Sequence, residues 1–112
     1  MIAYLSGPIE NAHNDGADWR NDITDWLSKE LNHQVFNPVI ETKILTKDLN
    51  TEDFRMMKTT NPKQYKKIIR QIIQVDLNAV VKGSDYLIVN WDESVFKGGG
   101  THGEVTMAYW FN

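Results

Sequence analysis

With 112 residues, of which 12 are basic and 15 acidic, the chain holds one core and carries a formal net charge of −3. That balance argues against the basic stripe of a nucleic-acid binder. The lack of cysteine excludes disulfides, a thiolate zinc site and a cysteine nucleophile, and fits a reducing, cytoplasmic setting.

The opening run Met1 to Pro8 is too short for a secretory leader, and no apolar run approaches the ~20 residues of a membrane span. A single soluble domain without a membrane partner is therefore expected. Ile2-Ala3-Tyr4-Leu5-Ser6, stopped by Gly7-Pro8, has the composition of a buried parallel strand. In open α/β sheets, ligands gather at the C-terminal strand edge, which makes Tyr4, Ser6 and the Gly7-Pro8-Ile9 turn binding candidates. A strand tyrosine is more often core than site. The loop from Glu10 to Gly16 has no arginine or lysine and neither of the glycine spacings that cradle phosphates.

From Ala17 to Leu31, Trp19, Ile23, Trp26, Leu27 and Leu31 share one helical face, with Asp18 as the expected N-cap. Trp19 and Arg20 stand near the first loop; Trp19 reads as core and Arg20 as surface, with ligand contact the alternative for both. Gln34 to Asn37, closed by Pro38, is a second strand and completes a right-handed βαβ unit. The loose pattern from Val39 to Thr60 suggests an excursion over the sheet edge or a lid, with a short helix over Thr51 to Met57.

Asn61-Pro62 opens a strongly periodic helix that ends before Gly83. Ile69, Ile72, Ile73, Asp76 and Val80 fall on its apolar face, so Asp76 is either a cap at the seam or a functional carboxyl. Ser84 to Asn90 is apolar enough to be a central strand, followed at its C-terminal edge by Trp91-Asp92-Glu93. Gly98-Gly99-Gly100 then lets the backbone turn sharply before a closing helix. Thr101-x-x-Glu104 has the form of a capping box; the other reading makes Glu104 a site carboxylate in the first helical turn, kept ionised by the helix dipole. His13, His33 and His102 lack metal-ligand spacing, so neither metal nor cofactor is expected.

The strand ends and helix starts bring Tyr4, Asp76, Glu104 and either Asp92 or Glu93 toward one rim. Carboxylates with a phenol can attack and protonate across a glycosidic bond. The ordered pieces Tyr4-Leu5-Ser6-Gly7-Pro8-Ile9, Asp18-Trp19-Arg20, Asn37-Pro38, Asp76-Leu77 before Ser84-Asp85, and Gly100-Thr101-x-Gly103-Glu104 resemble the nucleoside 2-deoxyribosyltransferase family.

The resemblance implies a three-layer flavodoxin-like or Rossmann-like parallel α/β sheet with flanking helices, shortened at its C-terminal side. It implies N-glycosidic transfer between a 2′-deoxynucleoside and a free nucleobase, with Glu104 as nucleophile, Tyr4 orienting it and Asp76 serving sugar and base. Ser6, Gly7, Pro8, Ile9, Trp19, Asn90, Asp92, Gly100 and Thr101 are the corresponding substrate-binding candidates. Relatives continue beyond this helix and complete one another's sites, whereas the sequence stops at Phe111-Asn112, so a homo-oligomer is expected. Glu10, Asn11 and Asp15 would repel a 5′-phosphate, favouring a nucleoside. The alternatives are a 2′-deoxynucleoside (5′-monophosphate) N-hydrolase, a non-catalytic nucleoside-binding module, and an interaction protein using Trp110-Phe111.

Overall fold

The computed structural model describes residues 1–10 and 12–111. Asn11 and Asn112, invoked above for the loop charge and the chain end, lie outside the described residues. Three parallel strands, β1 (Ile2–Ser6), β2 (Gln34–Phe36) and β3 (Tyr86–Val89), form a sheet in the order β2-β1-β3. β1 pairs with β2 from Ile2↔Gln34 to Tyr4↔Phe36, and with β3 from Ala3↔Tyr86 to Ser6↔Val89. With a neighbour on each side and a helix on each face, Ala3, Tyr4, Leu5 and Ser6 are all buried.

β3 is an edge strand, not the central strand its composition suggested: Tyr86, Leu87 and Ile88 are half-buried and Val89 is 38% exposed. Apolar composition reports how a strand's faces are covered and says little about its edges, so β1 and β3 look alike in sequence.

The helices are α1 (Ala17–Trp26), α2 (Pro38–Asp48), α3 (Met57–Thr60), α4 (Pro62–Asn78) and α5 (Gly100–Phe111). Successive side chains of a strand point to opposite faces, so the register sorts the helices. Tyr4, with its register partners Phe36 and Leu87, packs against Ala79 and Val80 after α4 and against Met107 and Ala108 of α5. Tyr4 and Phe36 stack with centroids 5.2 Å apart. Ile88, partner of Leu5, faces Trp19, Ile23 and Trp26 of α1 on the other side. The crossover from β1 to β2 through α1 and the one from β2 past β1 to β3 through α4 run in opposite directions across the sheet, and right-handed connections then cover opposite faces.

Several local expectations are corrected. α1 starts after Gly16, which holds a left-handed φ of 69°, so Asp18 lies inside the helix and is not its cap. A wider π turn, Leu27–Leu31, continues α1 and leaves Trp26 and Leu31 about half exposed while Leu27 is buried. The stretch read as a loose excursion is mostly α2, which opens on an Asn37 side chain accepting from the Val39 amide at 3.0 Å. Its Ile40 and Ile44 face solvent while Thr46 is buried and bonds back to Thr42 and Lys43, which erases the apolar stripe a helix normally shows. The short helix falls at Met57–Thr60, after a run of turns, and not over Thr51 to Met57. α4 starts as expected, with Asn61 capping Gln64 and Pro62 at the first position. Ile68 is its buried residue, and Ile73 is 49% exposed. Among the described residues, no helix is long and apolar enough to cross a membrane.

Candidate functional site

The pleat of β1 sends Tyr4 and Ser6, two residues apart, to the same face, and α5 lays Glu104 over them. The Tyr4 hydroxyl donates to Glu104 Oε2, and the Ser6 hydroxyl donates to Oε1 at 2.7 Å. Both carboxylate oxygens are thus turned toward the sheet instead of back onto the helix start, as a capping box would require. Glu104 also sits a full turn beyond Gly100 and not in the first turn, where the helix-end field falls off.

Burial therefore decides its ionisation. Desolvation pushes the Glu104 carboxyl above the usual carboxylate range, against the hydrogen bonds from Tyr4 and Ser6 and the charge of Arg20. Desolvation pushes the Tyr4 phenol up as well, reinforced by the neighbouring Glu104 and Asp76, so it stays a hydrogen-bond donor. Asp76 is raised from 3.8 to about 7 by burial, then by Glu104, with Glu41 adding and Arg20 opposing. Glu104 and Asp76 compete for ionisation across one space; such a pair pulls apart into a carboxylate and a proton carrier.

That space is a cavity of about 340 Å³ at the C-terminal edge of the sheet. Gly7, Pro8, Ile9 and Glu10 form one wall, and Tyr65, Ile69, Ile73 and Asp76 of α4 a second. Ser94, Val95, Gly98 to Gly100 and Thr101 close the third side, with Glu104 between them. Its described lining carries carboxylates and no lysine, arginine or histidine. Of the candidates from sequence, Gly7, Pro8, Ile9, Asp76, Gly100, Thr101 and Glu104 come together here, with the buried Tyr4 and Ser6 holding Glu104 from beneath.

The others lie elsewhere. Trp19 and Asn90 line a second, largely apolar cleft of about 480 Å³ on the α1 face, with Ile23, Trp26 and Ile88. Their link to the first site is indirect: a Cβ at Gly7 would stand 3.0 Å from Trp19 Cζ2 and 3.2 Å from the Asn90 carbonyl oxygen, so both fix how close that turn lies. Asp92 is exposed and accepts from the Ser94 amide at 2.8 Å, capping the turn Glu93–Lys97, and Glu93 is exposed in that turn. His102 packs edge-on to Trp91 at 4.7 Å, and His33 Nδ1 lies 2.6 Å from the Tyr86 hydroxyl. No group of three His, Asp or Glu side chains among the described residues is arranged to hold a metal.

Sequence reasoning missed two contributors. Tyr65 stands four residues before Ile69 and eleven before Asp76, so extending that helical stripe backwards by one turn would have found it. Arg20, read as surface, is fully buried and donates only to backbone carbonyls, a partnership that leaves no trace in sequence. Set against family models, curated proteins and solved structures, the chain matches none of them.

Proposed function

We propose that this chain is an N-glycosidic enzyme of the nucleoside 2-deoxyribosyltransferase type, working through Glu104. The observation that carries the reading is the buried Glu104 carboxylate, held at both oxygens by Tyr4 and Ser6 beside a cavity shared with an Asp76 that titrates at about 7. A carboxylate fixed in one orientation is suited to in-line attack, and a group titrating near neutrality is suited to proton transfer.

In the first half-reaction a Glu104 oxygen forms a bond to C1′ of the deoxyribose as the C1′–N bond breaks. The departing base takes a proton from Asp76. In the second, an incoming base gives its proton back to Asp76 and displaces Glu104, restoring both groups. Water in place of the second base gives hydrolysis. An uncharged nucleoside is the preferred substrate over its 5′-monophosphate, because the described lining offers a phosphate only like charges, Glu10, Asp76 and Glu104.

The strand order β2-β1-β3 supports a flavodoxin-like sheet, whose ligands sit where the strand order reverses, here beside β1 and β3. The same reading makes the protein a homo-oligomer, with the exposed Tyr109, Trp110 and Phe111 of α5 as the surface a second copy covers.

The test is acid quenching during turnover of a 2′-deoxynucleoside, followed by mass spectrometry of the peptide containing Glu104. A deoxyribosyl adduct is expected on that peptide, with Glu104→Gln lacking the adduct and losing at least ~10³ in turnover. Turnover that persists in Glu104→Gln without an adduct contradicts the assignment. Tight nucleoside binding with no turnover in either protein favours a binding module instead.

A further inference from the structure

We propose that Arg20 is a positioning residue of the Glu104 site: from the α1 face of the sheet, its guanidinium clamps the first loop to the end of β1 and serves as counter-charge to the Glu104 carboxylate. The inference rests on Glu104 being the working group of the site. Arg20 is fully buried. Nε donates to the Leu5 carbonyl at 3.4 Å and Nη2 to that of Gly7 at 2.9 Å. Nη1 spans the loop, reaching the carbonyls of Pro8 at 3.4 Å and Gly16 at 3.0 Å. Only a planar fork of donors can serve four carbonyls so spread out; a lysine ammonium cannot.

The clamp acts on a strained segment. Asn14, Asp15 and Gly16 hold successive left-handed φ angles of 50°, 53° and 69°. L residues adopt that conformation singly and at a cost, and a run of it persists only where surrounding contacts over-determine it. The loop so held begins with Gly7, Pro8, Ile9 and Glu10, which form a wall of the Glu104 cavity.

Carbonyls satisfy the guanidinium's donors without cancelling its charge, and a buried charge needs an opposite one. The ion pair formed among the described residues joins Asp15 to Arg55, so no carboxylate is in salt-bridge contact with Arg20. Its compensation comes through β1. Facing Glu104 are Tyr4 and Ser6 of β1, Asp76 of α4, and Glu10 and Tyr65 on the cavity wall, and the charge of Glu41 of α2 also acts on Asp76. Burial opposes ionisation of Glu104, the Tyr4 and Ser6 hydrogen bonds favour it, and Arg20 is the cation that favours it.

Carbon-13 carboxyl NMR on the full chain tests this, with the Glu104 resonance assigned by its loss in Glu104→Gln. Arg20→Met is expected to raise the Glu104 titration midpoint by about one pH unit or more. Arg20→Lys should keep most of the charge effect while speeding amide exchange at Gly7 and Gly16. An unchanged midpoint in Arg20→Met overturns the counter-charge role, and unchanged exchange in Arg20→Lys overturns the clamp. If Arg20→Met does not fold, the double variant Arg20→Met/Glu104→Gln decides. A fold regained in the double variant supports the coupling; a double variant that still does not fold overturns it. None of these readouts needs turnover, so their failure is distinguishable from the absence of glycosidic activity.

Discussion

Asp76 is where the site works against the fold. Its carboxyl titrates at about 7 in the folded chain against an ordinary 3.8. Between those values the folded state keeps a proton that the unfolded state has released, so stability falls as pH rises from about 4 to about 7 and stays low above. The shift corresponds to a loss on the order of 4 kcal/mol. Glu104, also raised by burial, adds a slope of the same sign. Asp76→Asn should therefore melt higher than the parent above pH 7, with a visibly shallower dependence of Tm on pH; equal slopes in the two proteins would contradict the buried state of Asp76. The anomaly was legible in the sequence, as a carboxylate on an apolar helical stripe, and Tyr4 and Glu104 were legible as strand-end and glycine-loop residues. Arg20 was not, because charge alone places an arginine at the surface and only tertiary structure supplies four carbonyls to hold it.

Elements were legible where a local signal and the apolar period agreed. β1 and α4 satisfy both conditions, and they carry Tyr4, Ser6 and Asp76. α2 shares with α4 the Asn-Pro start, Asn37-Pro38 beside Asn61-Pro62, yet its buried face includes Thr46, so periodicity alone hides it. Two glycines, one in the first loop and one in α5, differ in the same way. At Gly16 a Cβ would come within 2.5 Å of Arg20 Nη1 and 2.6 Å of the Pro8 carbonyl oxygen, at a left-handed φ of 69°. Inside α5, by contrast, a Cβ at Gly103 meets nothing within 4 Å. Gly16→Ala should accordingly lower stability by about 2 kcal/mol or more, while Gly103→Ala should raise it by about 0.5–1 kcal/mol through helix propensity. Thermal unfolding of the two variants checks both signs. A harmless Gly16→Ala would mean that the first loop is not held where the site needs it.

For the whole molecule, the radius of gyration is 14.1 Å and the longest dimension 44 Å against 28 Å for the others. A spherical domain of this length would have a radius of gyration of about 13 Å. The elongation accompanies apolar surface that folding leaves uncovered: Tyr109 is 86% and Trp110 77% exposed at the end of α5, and Phe96 is 75% exposed. Sequence reasoning anticipated this exposure at Trp110-Phe111 but not the open edge of β3, since pairing partners are set by topology. Sedimentation velocity should find a species larger than the monomer, shifted to monomer by Trp110→Glu; a parent chain that sediments as a monomer at high concentration would contradict assembly through α5. The central claim, covalent transfer through Glu104, is tested most directly by incubating one 2′-deoxynucleoside with and without a second free base and separating the products by chromatography. The expected result is a new deoxynucleoside formed only when the second base is present. Recovery of the starting nucleoside unchanged in both reactions would contradict it.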